Sequence, residues 1–440
     1  MSHLKLLICA LALTLMAAAP ARAVSLLRDA DIEYGLEQLA APVLRAAGLS
    51  PNQVRILVVD DNSLNAFVAD TQHIFINAGL INKLQTARAL QAVIAHEAAH
   101  ITNGHIARRA GNMRNARTAV GLGLVLAAAT GAATGSGQAA AGLAFGTSSS
   151  AMRAFLAHTR AEEASADQAA VRSLVRAGID PQGAVEVLDI FRGQEALSVG
   201  RQDPYLLSHP LTRDRLRAME GFVAAYGKSV PEDNSAVYWF ARVQGKLSAF
   251  TRAPRWTLRR ADDSPSRDIA LMREAIAYHR QSDLRRAVAA IDGALALRPR
   301  DPFLMELKGQ ILLESRQAGP AVRTYQNAAN LAPNNALIQG GLGRALLASG
   351  NPKAALQALE RARSRDWRDA RVLRDLGAAY AQTGQAGMAS AATAERYALM
   401  GRLKDAGIHA KRAVDLLPRG SAAWRRSQDV LGAAERAARR

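Results

Sequence analysis

Apolar positions along the chain change period several times, and each change marks an element. From Leu26 to Ala47 they recur at helical spacing, which predicts an amphipathic helix. Val54–Asp60, Asn65–Ala69 and His73–Asn77 are rich in β-branched and aromatic residues and predict strands. Asp61-Asn62-Ser63 parts the first two, and Gly79 ends the third. A small sheet is therefore expected ahead of a helix over Gln91–Ile101, which holds no helix breaker and carries Val93, Ile94 and Ile101 on its apolar positions. Thr118–Met152 contains no charged residue; Val120–Thr130 is strongly apolar and Gly131–Gly146 is full of Gly, Ala and Ser. A membrane span needs about 20 continuous apolar residues, and the glycine-rich interruption breaks the run. Two readings stay open for 118–152: a buried helical hairpin, or a lid that makes peripheral membrane contact. Helical periodicity resumes over 154–226. Pro, Ser, Asp and Arg become frequent after Lys228, so 227–266 reads as a connecting segment centred on Thr251–Ser266.

The C-terminal part repeats itself. Gly309, Gly343 and Gly377 are 34 residues apart, as are Gly350 and Gly384, and Pro299 and Pro333 fall in step with Trp367. A helix-turn-helix period of this length marks tetratricopeptide repeats. The first glycine series is expected where paired helices pack closely, and the second in the turn between them. Ala270–Leu297 and Ala394–Pro418 read as more degenerate units. Residues 267–440 should thus stack into an α-helical solenoid that binds peptide or protein and performs no chemistry itself.

Composition narrows the class. The 440 residues are 49% hydrophobic and only 5% aromatic, which suits a soluble, mainly α protein of two or three domains. Lys5, the apolar run Leu6–Ala19 and the A-x-A site Ala21-Arg22-Ala23 read as a cleavable signal over 1–23, which directs the chain to the periplasm of a double-membraned bacterium. Cleavage after Ala23 would remove Cys9, the one cysteine, so any metal must be held by His and carboxylate. It would also remove Lys5 and Arg22, lowering the formal charge from +18 to +16. Such a basic surface suits anionic partners, but export argues against nucleic acid.

The chemistry concentrates in His96-Glu97-Ala98-Ala99-His100. On a helix His96 and His100 share a face and can reach one Zn2+, while Glu97 projects beside it as a general base for water attacking a peptide carbonyl. A third ligand is needed. His105 points away from His96 if the helix continues, and reaches the metal only if the chain turns at Gly104. Glu163 and Asp167, one turn apart in Arg160–Asp167, form a better-placed pair. Glu163 would complete a His2Glu site and Asp167 would orient a ligand histidine; the alternative is a solvated helix face.

HEAAH followed by R-x-x-E-x-x-A-D resembles the gluzincin zinc metallopeptidases that include HtpX and the CAAX prenyl proteases, over about Leu27–Gly221. With a signal and C-terminal repeats, the chain is most similar to their periplasmic BepA-like (YfgC-like) branch. The resemblance implies a zincin-type domain of helices and a small sheet over 24–226, followed by the repeat solenoid. It implies His96, His100 and Glu163 as zinc ligands and Glu97 as catalytic base, with Asp167, Arg160 and Arg215 supporting them. His209-Pro210 with Arg215 matches an H-P-x-x-x-x-R element, whose His209 would stabilise the oxyanion or occupy the fourth metal position as a gate. Asn65-Ala66-Phe67 resembles an edge strand that holds substrate. The implied function is a periplasmic endopeptidase and chaperone in outer-membrane protein assembly, acting on unfolded or stalled envelope proteins and meeting the assembly machinery through its repeats. The alternative is an assembly module whose protease activity is largely suppressed.

Overall fold

The computed structural model describes residues 25–105, 160–194, 203, 205–206, 209–226 and 230–439. The expected signal over 1–23 and the uncharged stretch 118–152 lie outside the described residues. Contacts divide the described residues into two compact units: Leu26–Trp367, and the residues from Arg368 on.

In the larger unit, β1 (Leu26–Leu27) leads into helix α1 (Ala30–Ala46). The helix was expected from Leu26. It starts later because Asp29 caps it, accepting from the backbone N–H of Asp31 and Ile32. This leaves Leu26 and Leu27 extended and antiparallel to Val59 and Val58 of β2 (Arg55–Val59). β3 (Ala66–Val68) and β4 (His73–Asn77) complete a sheet of order β1-β2-β4-β3, with β2 and β4 parallel and β3 antiparallel to β4. Ile56, Val58, Ala66, Ile74 and Ile76 alternate onto one face and bury in a single core with α1 and α3 (Ala87–Thr102). The short helix α2 (Ala78–Lys83) joins β4 to α3. In α3, Thr86 caps the N-terminus and every residue from Ala89 to His100 is buried, so this helix runs through the core with its histidines inside.

Residues 160–176 form helix α4, followed by α5 (Gln182–Ile190) and α6 (Arg213–Tyr226). The stretch read as a connection carries α7 (Asn234–Thr251) and α8 (Pro254–Arg259). Helix α7 packs against α1, with Phe240, Val243 and Leu247 in the core.

Paired helices then follow: α9 (Arg267–Arg280) with α10 (Leu284–Leu297), α11 (Pro302–Glu314) with α12 (Ala318–Leu331), and α13 (Ala336–Ala348) with α14 (Pro352–Arg365). In the smaller unit, α15 (Ala370–Gln382) pairs with α16 (Ala386–Leu399), and α17 (Leu403–Leu416) with α18 (Ala422–Ala438). The glycine series does what its spacing implies. A Cβ on Gly343 would lie 2.4 Å from Leu359 of the partner helix, so only glycine permits that approach. Gly350 turns at φ 79° between the paired helices, and Arg316, one period earlier, takes φ 62° without being glycine. Among the described residues, no helix is long and apolar enough to cross a membrane.

Candidate metal centre

Helix α3 supplies His96, Glu97 and His100, α4 supplies Glu163 and Asp167, and His209 stands just ahead of α6, which carries Arg215. All are buried. One donor atom each from His96, His100, Glu163 and His209 lies within 4.8 Å of the others. His96 Nε2 is 3.1 Å from His100 Nε2, 3.3 Å from His209 Nδ1 and 3.2 Å from Glu163 Oε2. His100 Nε2 is 3.3 Å from Glu163 Oε1, and His209 Nδ1 is 3.0 Å from Glu163 Oε2. Donors at that spacing on the corners of a tetrahedron stand about 2.0 Å from its centre, the zinc–nitrogen distance. Three imidazoles and one carboxylate, with no thiolate, also suit zinc chemically. The residues therefore fit a tetrahedral ion.

The far nitrogens of the rings are engaged as well. His96 Nδ1 is 3.0 Å from Asp167 Oδ1, and His100 Nδ1 is 2.8 Å from His105 Nδ1. His209 Nε2 lies 3.2 Å from the Ala66 carbonyl oxygen. Such partners fix ring orientation and tautomer. Gly104 turns in the left-handed region at φ 68°, which brings His105 back onto His100. His105 is thereby an orienting neighbour outside the four-residue cluster.

Arg215 holds the carboxylates from behind. Its Nε and Nη2 donate to the two Asp167 oxygens at 2.6 and 2.9 Å, and its Nη1 stands 3.1 Å from Glu163 Oε2. The same Nη1 donates to the carbonyls of His209 and Pro210, both at 3.3 Å, so one guanidinium ties α4 to the His209 segment. Burial opposes charge on Asp167, but Arg215 and His96 prevail and lower its pKa. Burial likewise opposes a proton on His96, yet Asp167 and Glu163 raise it to about 10. Burial pushes His100 down to about 3, and Glu163 falls well below the usual carboxylate range against its own burial because the three histidines face it. The metal-free cluster thus holds an ionised Glu163, a neutral His100 and a protonated His96.

Glu97 is fully buried beside the cluster, with Oε1 3.4 Å from His209 Nε2. The Tyr205 ring lies against the His209 ring at 4.6 Å and stacks on Phe191 at 4.8 Å. Tyr205 carries no motif, and nothing in its local sequence singles it out. Of the edge-strand residues, Ala66 reaches the cluster through its carbonyl. Phe67 stacks on Phe75 at 5.1 Å, and the Asn65 carbonyl accepts from Asn77 N–H within the sheet. Arg160 is exposed at the first described residue of α4 and lines a cleft with Glu163, Asp167 and Arg215.

Comparison with known proteins agrees with this geometry. The model of Peptidase family M48 matches residues 27–223. Those residues are an M48 peptidase domain. Residues 312–374 match a tetratricopeptide repeat model. The chain is 25% identical over 391 residues to the "Beta-barrel assembly-enhancing protease" of Escherichia coli O157:H7, spanning 87% of this chain and 78% of that one. It is 27% identical over 357 residues to the protein of the same name from Yersinia pestis, spanning 79% and 72%. Among solved structures, a MamA double mutant covers 37% of this chain and 93% of its own at 21% identity, with a TM-score of 0.32. The matched family agrees with the one the motifs resemble, and the match of residues 27–223 to it implies a metal cofactor.

Proposed function

We propose that this chain is a zinc-dependent endopeptidase of the periplasm that serves outer-membrane protein assembly by cleaving unfolded or stalled envelope proteins. The observation that carries the reading is the convergence of His96, His100, Glu163 and His209 on one point. A divalent ion held there would polarise a peptide carbonyl and acidify water. The chain's own residues do the rest. Asp167 and His105 hold the His96 and His100 rings with their Nε2 atoms inward, Arg215 keeps Asp167 ionised, and the facing histidines keep Glu163 ionised. Glu97 takes the proton from attacking water and passes it to the departing amine nitrogen. The names of the E. coli and Yersinia relatives support the role in barrel assembly, and the repeats supply surfaces for recruiting substrates or assembly components.

His209 supports a second reading, an assembly module with suppressed proteolysis. Its Nδ1 stands where water must stand for hydrolysis, so in this arrangement His209 closes the site as a gate. Both readings are tested by casein cleavage. Wild type is expected to cleave slowly, His209→Ala faster, and Glu97→Gln about a thousandfold slower than wild type. Cleavage by Glu97→Gln at the wild-type rate contradicts the peptidase mechanism; equal rates for wild type and His209→Ala contradict the gate.

A further inference from the structure

Helices α7, α8 and α9 meet in an elbow that is short of negative charge. Arg252, Arg255, Arg259 and Arg260 fall within 252–260, a stretch that holds no carboxylate, and all four are exposed. Two of them flank the half-buried Trp256: the Arg252 guanidinium lies 5.9 Å from its ring centre and that of Arg260 5.6 Å. Arg255 and Arg259 are one turn apart on α8, on the side opposite the buried Thr257. The elbow thus shows solvent two neighbouring pairs of guanidiniums with an indole beside them.

Two further arginines hold the elbow from α9 without neutralising it. Arg280 Nη1 donates to the carbonyl of Ala249, at 2.8 Å, and to that of Arg252. Arg273 Nη1 donates to the Arg260 carbonyl and to Ser264 Oγ, both at 2.7 Å, and its Nε has no acceptor. Arg273 is only 7% exposed. The other buried arginines among the described residues, Arg215 and Arg242, each face two carboxylates, which raise their pKa against burial. Burial lowers that of Arg273; Asp263 opposes the shift and Arg260 adds to it. Nearby carboxylates are spent or distant. Asp262 and Glu274 meet Arg267 at 3.0 and 3.1 Å, and Asp263 stands 3.8 Å from Arg260. Arg252, Arg255 and Arg259 have no ion pair among the described residues.

A guanidinium fork matches a phosphate bidentately, so phosphate oxygens suit these unanswered charges. An indole that is half out of the fold beside cations suits the boundary between water and lipid. An acidic polypeptide would answer the charge but gives the ring no apolar layer to enter. We propose that the α7–α8–α9 elbow is a docking surface for a membrane of anionic phospholipid. Arg252, Arg255, Arg259 and Arg260 take headgroup phosphates, Trp256 enters at headgroup depth, and Arg273 and Arg280 hold the elbow in shape. The surface shares no residue with the metal centre, so it goes beyond the peptidase reading and does not depend on it.

The test sediments the full chain with vesicles of phosphatidylcholine alone or mixed with phosphatidylglycerol. Binding is expected to the mixed vesicles only and should weaken as salt is raised. An Arg255→Gln, Arg259→Gln double variant should bind roughly 25-fold more weakly, about fivefold for each arginine removed. An Arg285→Gln, Arg323→Gln double variant removes the same charge from exposed positions on α10 and α12 and should lose less than about twofold, because charges held off the surface are screened. Equal binding to both kinds of vesicle overturns the proposal, as does an equal loss in the two double variants. Capture of poly-L-glutamate without capture of the mixed vesicles also overturns it and makes an acidic polypeptide the partner.

Discussion

Two buried clusters of polar side chains lie within Leu26–Trp367, and they are built on opposite principles. At the joint between the peptidase domain and the first repeats, α7 carries Arg242 and Lys246 one turn apart, both fully buried. Arg242 meets Asp31 at 2.8 Å and Asp301 at 2.6 Å, and Lys246 meets Asp29 at 2.8 Å. Asp29 caps α1 and Asp301 caps α11, so two cations clasp the starts of one helix from each part. Asp29, Asp31 and Asp301 thus each face a cation within 2.8 Å. At the metal centre the helices bring His96 Nε2, His100 Nε2, His209 Nδ1 and the Glu163 carboxylate onto one point, and the proton on His96 is what an arriving ion would replace. Arg215 supports the carboxylates from outside. A joint clasped by fixed cations is finished on folding, whereas a cluster of histidines and carboxylates can exchange a proton for an ion.

That contrast can be broken most forcefully at the joint. Arg242→Met leaves Asp31 and Asp301 buried without their cation and should cost about 3–5 kcal/mol of stability. Urea unfolding measures the loss, and zinc per folded chain should stay at the wild-type value; loss of zinc from folded Arg242→Met would erase the distinction. Asp167→Asn acts on the other cluster. It removes the charge that orients His96 and should weaken metal affinity about 10–100-fold, measured on the folded chain by competition with a chelator. Over a single pH unit the expected effect is at the low end of that range. Because His96 is raised to about 10 in the metal-free chain, an arriving ion must displace one proton at neutral pH. Affinity should rise about tenfold per pH unit from pH 6 to 8. A flat profile would mean that His96 is neutral before the ion arrives.

The two clusters were unequally legible in the sequence. His96, Glu97 and His100 could be placed because helical spacing alone fixes which side chains share a face, and the Glu163–Asp167 pair follows the same rule. The repeats could be read because a 34-residue period is arithmetic on the chain. The joint could not. Arg242 and Lys246 carry no motif, and only the packing of α7 on α1 reveals them as buried. His105 was undecidable because its position depends on one backbone angle at Gly104. Main-chain groups such as the Ala66 carbonyl leave no trace in residue identity, since which way they point is set by strand register. Ser282 and Arg316 show the same limit from the other side: they take the left-handed turn that Gly350 and Gly384 advertise, with no glycine to mark it.

The central claim is that α4 completes what α3 begins. Zinc content of purified Glu163→Ala, measured beside wild type and Glu97→Gln, tests it most directly. The account predicts one zinc per chain in wild type and Glu97→Gln, and loss of zinc in Glu163→Ala while the chain remains folded. Full retention of zinc by Glu163→Ala would contradict it.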